Sequence, residues 1–273
     1  MPAAAFALAL GAAFVHACWN LLLARARDPE AATAVALVAA VVVFAPVIPA
    51  TWELDARAWP FLAVTSVLEL AYFALLARAY RRADLSFVYS ISRGVAPVLV
   101  LLVSVIALGA ATGAGQAAGV CFIGAGVLLV RGLAKPRHAA DALFALAIAA
   151  CIAAYTLVDD RGIPYANPIV YLELAMIPAA LGYMSGMLAF HGRSRIRSEL
   201  RPASVLAGVL SFIAYVLVLA ALERAPAAPV AAVRETSVVI AAALAVPVLG
   251  ERFRPARIVG AALVVAGVAL LGL

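Results

Sequence analysis

The run VALVAAVVVFAPVIPA, Val35 to Ala50, decides the fold. Its residues do not alternate polar with apolar, as the strands of a membrane barrel do, but are apolar on all sides. Backbone groups facing lipid need partners within their own structure, so only helices and closed barrels can span a bilayer. A stretch with no polar side reads as a helix in hydrocarbon.

The rest of the chain extends this reading. Of 273 residues, 67% are hydrophobic and 12% charged, and the mean hydropathy is +1.11, values outside the range of soluble domains. A helix crosses the bilayer core of about 30 Å with roughly 20 residues, so ten spans would use about 200 and leave no room for a separate soluble domain. Apolar runs between charged or Pro/Gly-rich breaks predict spans at about 4–24, 31–50, 59–78, 85–108, 114–131, 140–158, 168–190, 203–222, 227–249 and 255–273. The N-terminal run has no basic start and is read as a retained first span rather than a signal. Cys18, Cys121 and Cys151 all fall in apolar runs, which fits packing better than disulfides or a metal site.

Charge sets the expected orientation. Nearly all loop cations, from Arg25 and Arg27 to Arg252, Arg254 and Arg257, follow odd-numbered spans, and only Arg57, Arg161 and Arg224 follow even-numbered ones. By the positive-inside rule both termini are expected outside the cytoplasm. The net charge of +6 is then a topology signal and a contact with anionic headgroups, not a nucleic-acid footprint.

The chain also matches itself. WPFLAVTSVLELAYFALLARAY from Trp59 aligns with RPASVLAGVLSFIAYVLVLAAL from Arg201, pairing Pro60 with Pro202 and Phe73 with Tyr215. ALGAATGAGQAAGVCFIGAG aligns with VLGERFRPARIVGAALVVAG, pairing Gly119 with Gly260, and in that register Arg93 falls opposite Arg234. Two five-span halves, 1–137 and 138–273, must insert with opposite orientation because five is odd. The expected fold is therefore an all-α integral membrane protein of ten transmembrane helices, arranged as two inverted five-helix repeats with a binding site near the midplane.

Ionised groups inside spans are costly, about 2.5–3.5 kcal/mol each on insertion scales, and so mark candidate sites. These are Arg93, Arg234, Glu235, Glu69 and Glu173. On a regular helix the neighbours Arg234 and Glu235 point about 100° apart, so they are expected to address different partners: Glu69 or Glu173 for Arg234, and Arg93 for Glu235. Helical spacing adds His16, Trp19 and Asn20 in the first span, Tyr72 and Phe73 beside Glu69, and Ser86, Tyr89 and Ser90 beside Arg93. Tyr155 and Asp159 share a face of the sixth span, and Ser211 and Tyr215 a face of the eighth. Such a lining suits an amphiphilic organic molecule. A buried ion pair that merely locks the halves is the plainer reading of the arginines and Glu235. Gly115 with Gly119, and Gly182 with Gly186, are spacings that mark close helix packing. There is no HExxH, GxSxG or P-loop pattern and no cluster of metal ligands in the sequence, so neither enzyme, cofactor nor ATP-driven pump is expected.

HACWN in the first span, SRGVAP in the fourth, YTLVDDRGIP after the sixth and VRETSVVIAAALAVPVLGERF through the ninth resemble the drug/metabolite transporter superfamily, in its ten-helix EamA-type branch. The first copy departs from the pattern, with Ala110 where the second has Glu251. The resemblance implies a transporter that exports or imports small organic metabolites across a bacterial inner membrane, often against a proton gradient, with substrate and direction left open; a monomer or homodimer is expected. A lipid or lipid-linked carrier and a non-transporting assembly subunit remain as alternatives.

Overall fold

The computed structural model describes residues 1–82, 85–131, 139–249 and 255–272. They form α1 (Ala3–Ala24), α2 (Pro29–Phe44), α3 (Trp59–Arg82), α4 (Leu85–Ile106), α5 (Ala114–Arg131) and α6 (Ala139–Gly162). The second half follows with α7 (Pro168–His191), a short connector α8 (Arg193–Ser198), α9 (Pro202–Leu222), α10 (Ala227–Arg234), α11 (Ser237–Leu249) and α12 (Pro255–Gly272). Nine helical stretches among the described residues are long and apolar enough to cross a membrane, and α5 is a shorter apolar helix. With α10 and α11 counted as one interrupted span, the protein is a ten-helix membrane protein.

Helix starts follow local chemistry. Asp28 caps α2 by accepting from the Ala31 amide, and Asn167 caps α7 by accepting from the Ile169 amide, each followed by a proline whose missing N–H costs nothing at that position. Asp28 and Asn167 thus open the second helix of each half in the same way.

The halves exchange helices. α1 packs along α9, and α6, its counterpart in the second half, packs along α3; α2 lies on α9, and α7 on α3. The tightest seam joins α5 to α12. A Cβ built on Gly119 would stand 2.9 Å from the Gly267 carbonyl oxygen, and one on Gly126 would stand 2.6 Å from that of Gly260. Since Gly119 corresponds to Gly260 and Gly126 to Gly267, the contact is reciprocal, as a two-fold axis between inverted copies requires. Among the glycines expected to mark close packing, Gly119 lies in this seam and Gly182 abuts Leu70, whereas Gly115 and Gly186 have open space around them.

Three boundaries differ from the hydropathy reading. The second span ends as α-helix at Phe44 and continues as a 3-10 turn through Ala50, because Pro46 and Pro49 cannot donate to an α-helical ladder. The sixth helix does not stop before Asp159 but runs on to Gly162, since the Asp159 carboxylate finds hydrogen-bond donors inside the bundle. The ninth span is broken at Glu235–Thr236. There the Glu235 and Thr236 amides donate to the Ala232 and Val233 carbonyls three residues back, and the Thr236 hydroxyl caps the Val233 carbonyl at 2.8 Å. A tight turn within a helix needs such substitute partners, and neither Gly nor Pro stands at this break.

Both ends of the bundle are tied across the halves. At the end bearing Leu54, the Asp55 amide donates to the Tyr165 carbonyl and the Asn167 amide to the Glu53 carbonyl, each at 2.8 Å. Arg57 sits over the Tyr165 ring at 4.6 Å and holds the Asp55 carboxyl at about 2, below its ordinary value. At the opposite, arginine-rich end, Arg195 donates to Asp28 at 2.5 and 2.9 Å and to Glu30 at 3.0 Å. Beside it the buried Glu199 accepts from the backbone amides of Arg27 and Asp28, both at 3.1 Å. Met1 donates to the Leu271 carbonyl, so the described termini lie at one end, as an even number of spans requires.

Candidate functional site

Between the tied ends lies a cavity of about 770 Å³, including the open space at its mouth. α1 contributes Ala12, His16, Trp19 and Leu23, and α3 contributes Glu69, Tyr72 and Phe73. Arg93 enters from α4, Tyr155 from α6, Met176 from α7, Ser211 and Tyr215 from α9, and Arg234 from the end of α10. The broken ninth span matters here, because it ends a helix in mid-bundle and leaves Arg234 at its C-terminus facing the cavity. The negative end of a helix dipole favours a cation at that position.

The charges form one compact group. Arg93 Nη1 donates to Glu235 Oε1 at 3.3 Å, and Arg234 Nη2 donates to the same oxygen at 3.4 Å. Glu235 is fully buried, and Arg93 and Arg234 are 4% and 3% exposed, so this is a desolvated triad in which two guanidiniums share one carboxylate oxygen. Arg93 also approaches His16 Nε2 at 3.0 Å; guanidinium only donates, so this nitrogen of His16 accepts and the other carries the proton. The Tyr89 ring lies 5.3 Å beneath the same guanidinium, and the Tyr89 hydroxyl donates to Asn20 Oδ1 at 3.1 Å. His16 and Asn20 on α1 thereby meet Arg93 and Tyr89 on α4 as two rungs, each pair spaced by one helical turn.

Arg234 is less well satisfied than Arg93. Its Nε is buried with no hydrogen-bond partner among the described residues, and so is the indole nitrogen of Trp19. Glu235 Oε2, set back from the cavity, is likewise unbonded. Two N–H donors without acceptors among the described residues therefore sit just beneath the surface of the same cavity, on residues that line it. Aromatic rings make up its other wall: Tyr72 packs edge-on against Phe73 at 4.9 Å and Tyr155 at 6.2 Å, and Tyr155 against Tyr215 at 5.9 Å.

Several expectations need correction. Arg234 makes its ion pair with the adjacent Glu235 rather than with Glu69 or Glu173, because the break after Arg234 abolishes the fixed angular offset of a continuous helix. Glu69 does reach the cavity. Glu173 does not line it: the carboxylate is buried in α7 with Oε2 unbonded. Asn20 and Tyr89 stand behind the lining and bond to each other, and Glu235 stands behind the arginines. The side chain of Ser86 lies outside those described.

Sequence reasoning placed Asp159 with Tyr155 on the face expected to line the cavity, but only Tyr155 lines it, and Asp159 stands behind Tyr215. Its partners, Thr65 and Tyr171, come from α3 and α7, and no spacing along the chain connects them. Among the described residues there is no group of His, Cys, Asp and Glu fit to hold a metal ion.

The EamA-like transporter family matches residues 3–132 and again 140–273. The chain belongs to the EamA-like transporter family. This agrees with the drug/metabolite transporter resemblance, and the two matched copies are the two halves that exchange helices in the fold. A solved structure described only as a crystal structure of a protein superposes with a TM-score of 0.78 over 99% of this chain and 96% of that one. At 17% identity it shows a shared fold alone. No curated protein matches the chain. An EamA-like chain is a membrane transporter in contact with lipid and with a small-molecule substrate.

Proposed function

We propose that this protein is a secondary transporter that moves a small organic metabolite carrying an anionic group, by alternating access of the cavity to the two sides of a bacterial inner membrane. The observation that carries the reading is the pair of buried donors without acceptors among the described residues, Arg234 Nε and Trp19 Nε1, on residues that line the cavity together with Arg93. A buried donor left unpaired costs about 1–3 kcal/mol, and a ligand carboxylate or phosphate that accepts from it offsets that cost. The tyrosine wall suits an apolar or aromatic body on the same molecule. Glu69, on the cavity surface, is placed to meet a substrate ammonium or a proton. The arginine-rich end is the cytoplasmic one in this scheme, with both termini outside.

The test is a thermal-stability screen of the purified protein with a panel of amino acids, organic acids and aromatic metabolites. A ligand at about 100 times its Kd stabilises by about 2.7 kcal/mol, a readable rise in Tm. The expected outcome is that anionic members raise the Tm of the wild type and fail to raise that of Arg234→Gln. Hits then enter vesicle flux assays with and without a pH gradient. Stabilisation by neutral members alone, or an unchanged response in Arg234→Gln, would refute the anion-binding role.

A further inference from the structure

Asp159 is held in a way that the cavity residues are not. Its side chain is fully buried near the end of α6. Thr65 Oγ1 donates to Oδ1 at 2.6 Å, the Tyr171 hydroxyl donates to the same oxygen at 3.0 Å, and the Tyr215 hydroxyl donates to Oδ2 at 2.5 Å. All three partners are hydroxyls, and no cation makes an ion pair with Asp159 among the described residues. A buried carboxylate is usually matched by an arginine or lysine. This one is matched by dipoles only.

The partners come from different parts of the fold. Thr65 lies on α3 in the first matched copy, whereas Asp159, Tyr171 and Tyr215 lie on α6, α7 and α9 in the second. The cluster sits one to two helical turns inside the Leu54 end, beneath the backbone pairing of Asp55 with Tyr165 and of Glu53 with Asn167. Gly162 makes room for it: a Cβ there would stand 2.7 Å from both Phe61 Cβ and the Tyr171 hydroxyl oxygen. Tyr215 is the link to the cavity, since its ring lines that space against Tyr155 while its hydroxyl serves Asp159.

We propose that Asp159 is a proton-binding site that fastens the Leu54 end of the cavity: ionised, it holds the first copy through the Thr65 hydroxyl while Tyr171 and Tyr215 brace it within the second, and protonated, it lets the copies part. The inference rests on the alternating-access reading. Three O–H donors converging on one carboxyl group require all of its bonded positions to accept, which the ionised form does. A proton taken up from the aqueous phase turns one oxygen into a donor, so one of the three bonds must reverse or break. The others lose their charge assistance, which is about half their strength. The tie across α3 and α6, α7 and α9 therefore weakens when the carboxylate is neutralised, with no other bond made or broken.

The neighbours fix what else can act on this group. Glu69 on α3 and Arg234 on α10 line the cavity that Tyr215 shares, and their opposite charges act on Asp159 with opposite sign. Tyr155 on α6 adds a phenol beside Tyr215, and Arg93 on α4 lines the same cavity as Glu69 and Tyr155. A substrate anion that engages Arg234 withdraws part of the positive field from Asp159 and thereby favours its protonation. Binding in the cavity and release of the Leu54 end are coupled by that route.

The test reads conformation without substrate, in the full chain reconstituted in lipid, with Cys18, Cys121 and Cys151 replaced by serine. Spin labels at Trp52→Cys and Arg161→Cys, exposed positions on opposite copies at the Leu54 end, report their separation as a function of pH. The expected result is a reversible shift to longer separations as pH falls. Asp159→Asn should hold the long population at every pH, and Asp159→Glu should restore a pH response. Tyr215→Phe, which removes one donor to the ionised form, should move the midpoint upward by about one pH unit, and it keeps the proposal testable if Asp159→Asn does not fold. Glu69→Gln, which removes a negative charge acting on Asp159, should keep the response and move its midpoint downward. A separation in the wild type that ignores pH, a response that survives in Asp159→Asn, or one abolished by Glu69→Gln would overturn the proposal. Because no substrate is present, failure here leaves the transport reading standing, and failure of every flux assay leaves this result interpretable.

Discussion

Glu235 is the residue on which the charged centre turns. One of its oxygens serves both Arg93 and Arg234 from a fully buried position. Removing one partner of a buried ion pair leaves an uncompensated charge and costs about 3–5 kcal/mol. Glu235→Gln is therefore expected to lower the Tm of the purified protein strongly, measured by tryptophan fluorescence in detergent. Replacing Arg93 and Glu235 together with methionine should recover part of the loss, because an apolar pair of similar volume avoids desolvation altogether. The meeting of Arg93 with Glu235 was foreseeable from the sequence, since two charges in facing spans have few other partners. The contact between Arg234 and Glu235 was not, because it depends on a helix break that neither glycine nor proline announces. Asp159 stayed obscure for a related reason: threonine and tyrosine hydroxyls are too common in membrane helices to single out three that converge.

At the scale of helices, hydropathy located all ten spans, because hydrocarbon imposes the same demand on each. It erred where side-chain chemistry overrode it, at the proline-rich end of α2, at the end of α6 and at the interruption between α10 and α11. The seam between α5 and α12 tests the packing argument directly. Gly126 and Gly260 face each other so closely that a Cβ on either would stand within 2.7 Å of the other's carbonyl oxygen. Backbone cannot retreat as a flexible side chain can. Gly126→Leu should thus lower the Tm markedly or abolish folded protein on size exclusion, whereas Gly186→Ala, at a site with open space, should change Tm little.

For the whole molecule, the decisive feature is that the two copies are fastened at both ends, by different chemistry. The arginine-rich end depends on Arg195, which holds the Asp28 carboxyl below its ordinary value of 3.8, chiefly by hydrogen bonding to its ionised form. A carboxyl whose folded pKa is depressed contributes stability above its unfolded pKa and loses it as pH falls through the folded value, so this fastening is intact at neutral pH and fails only below about pH 4. Arg195→Gln is expected to speed hydrogen exchange in the turn before α2 and in α8 at pH 7, with little change in α5 or α12. Equal exchange in mutant and wild type would show that the arginine-rich end is held by packing alone.

The glycine seam bears on where motion can be seen. Where these glycines meet, backbone lies directly on backbone, so under the alternating-access proposal α5 and α12 would form a keel about which the other helices swing. Displacement in such a body grows with distance from the fixed line, and α2 and α7 pack on α9 and α3 rather than on the keel. Reporter probes placed there would record the largest strokes, and a staple across them would stall the cycle while leaving the keel untouched.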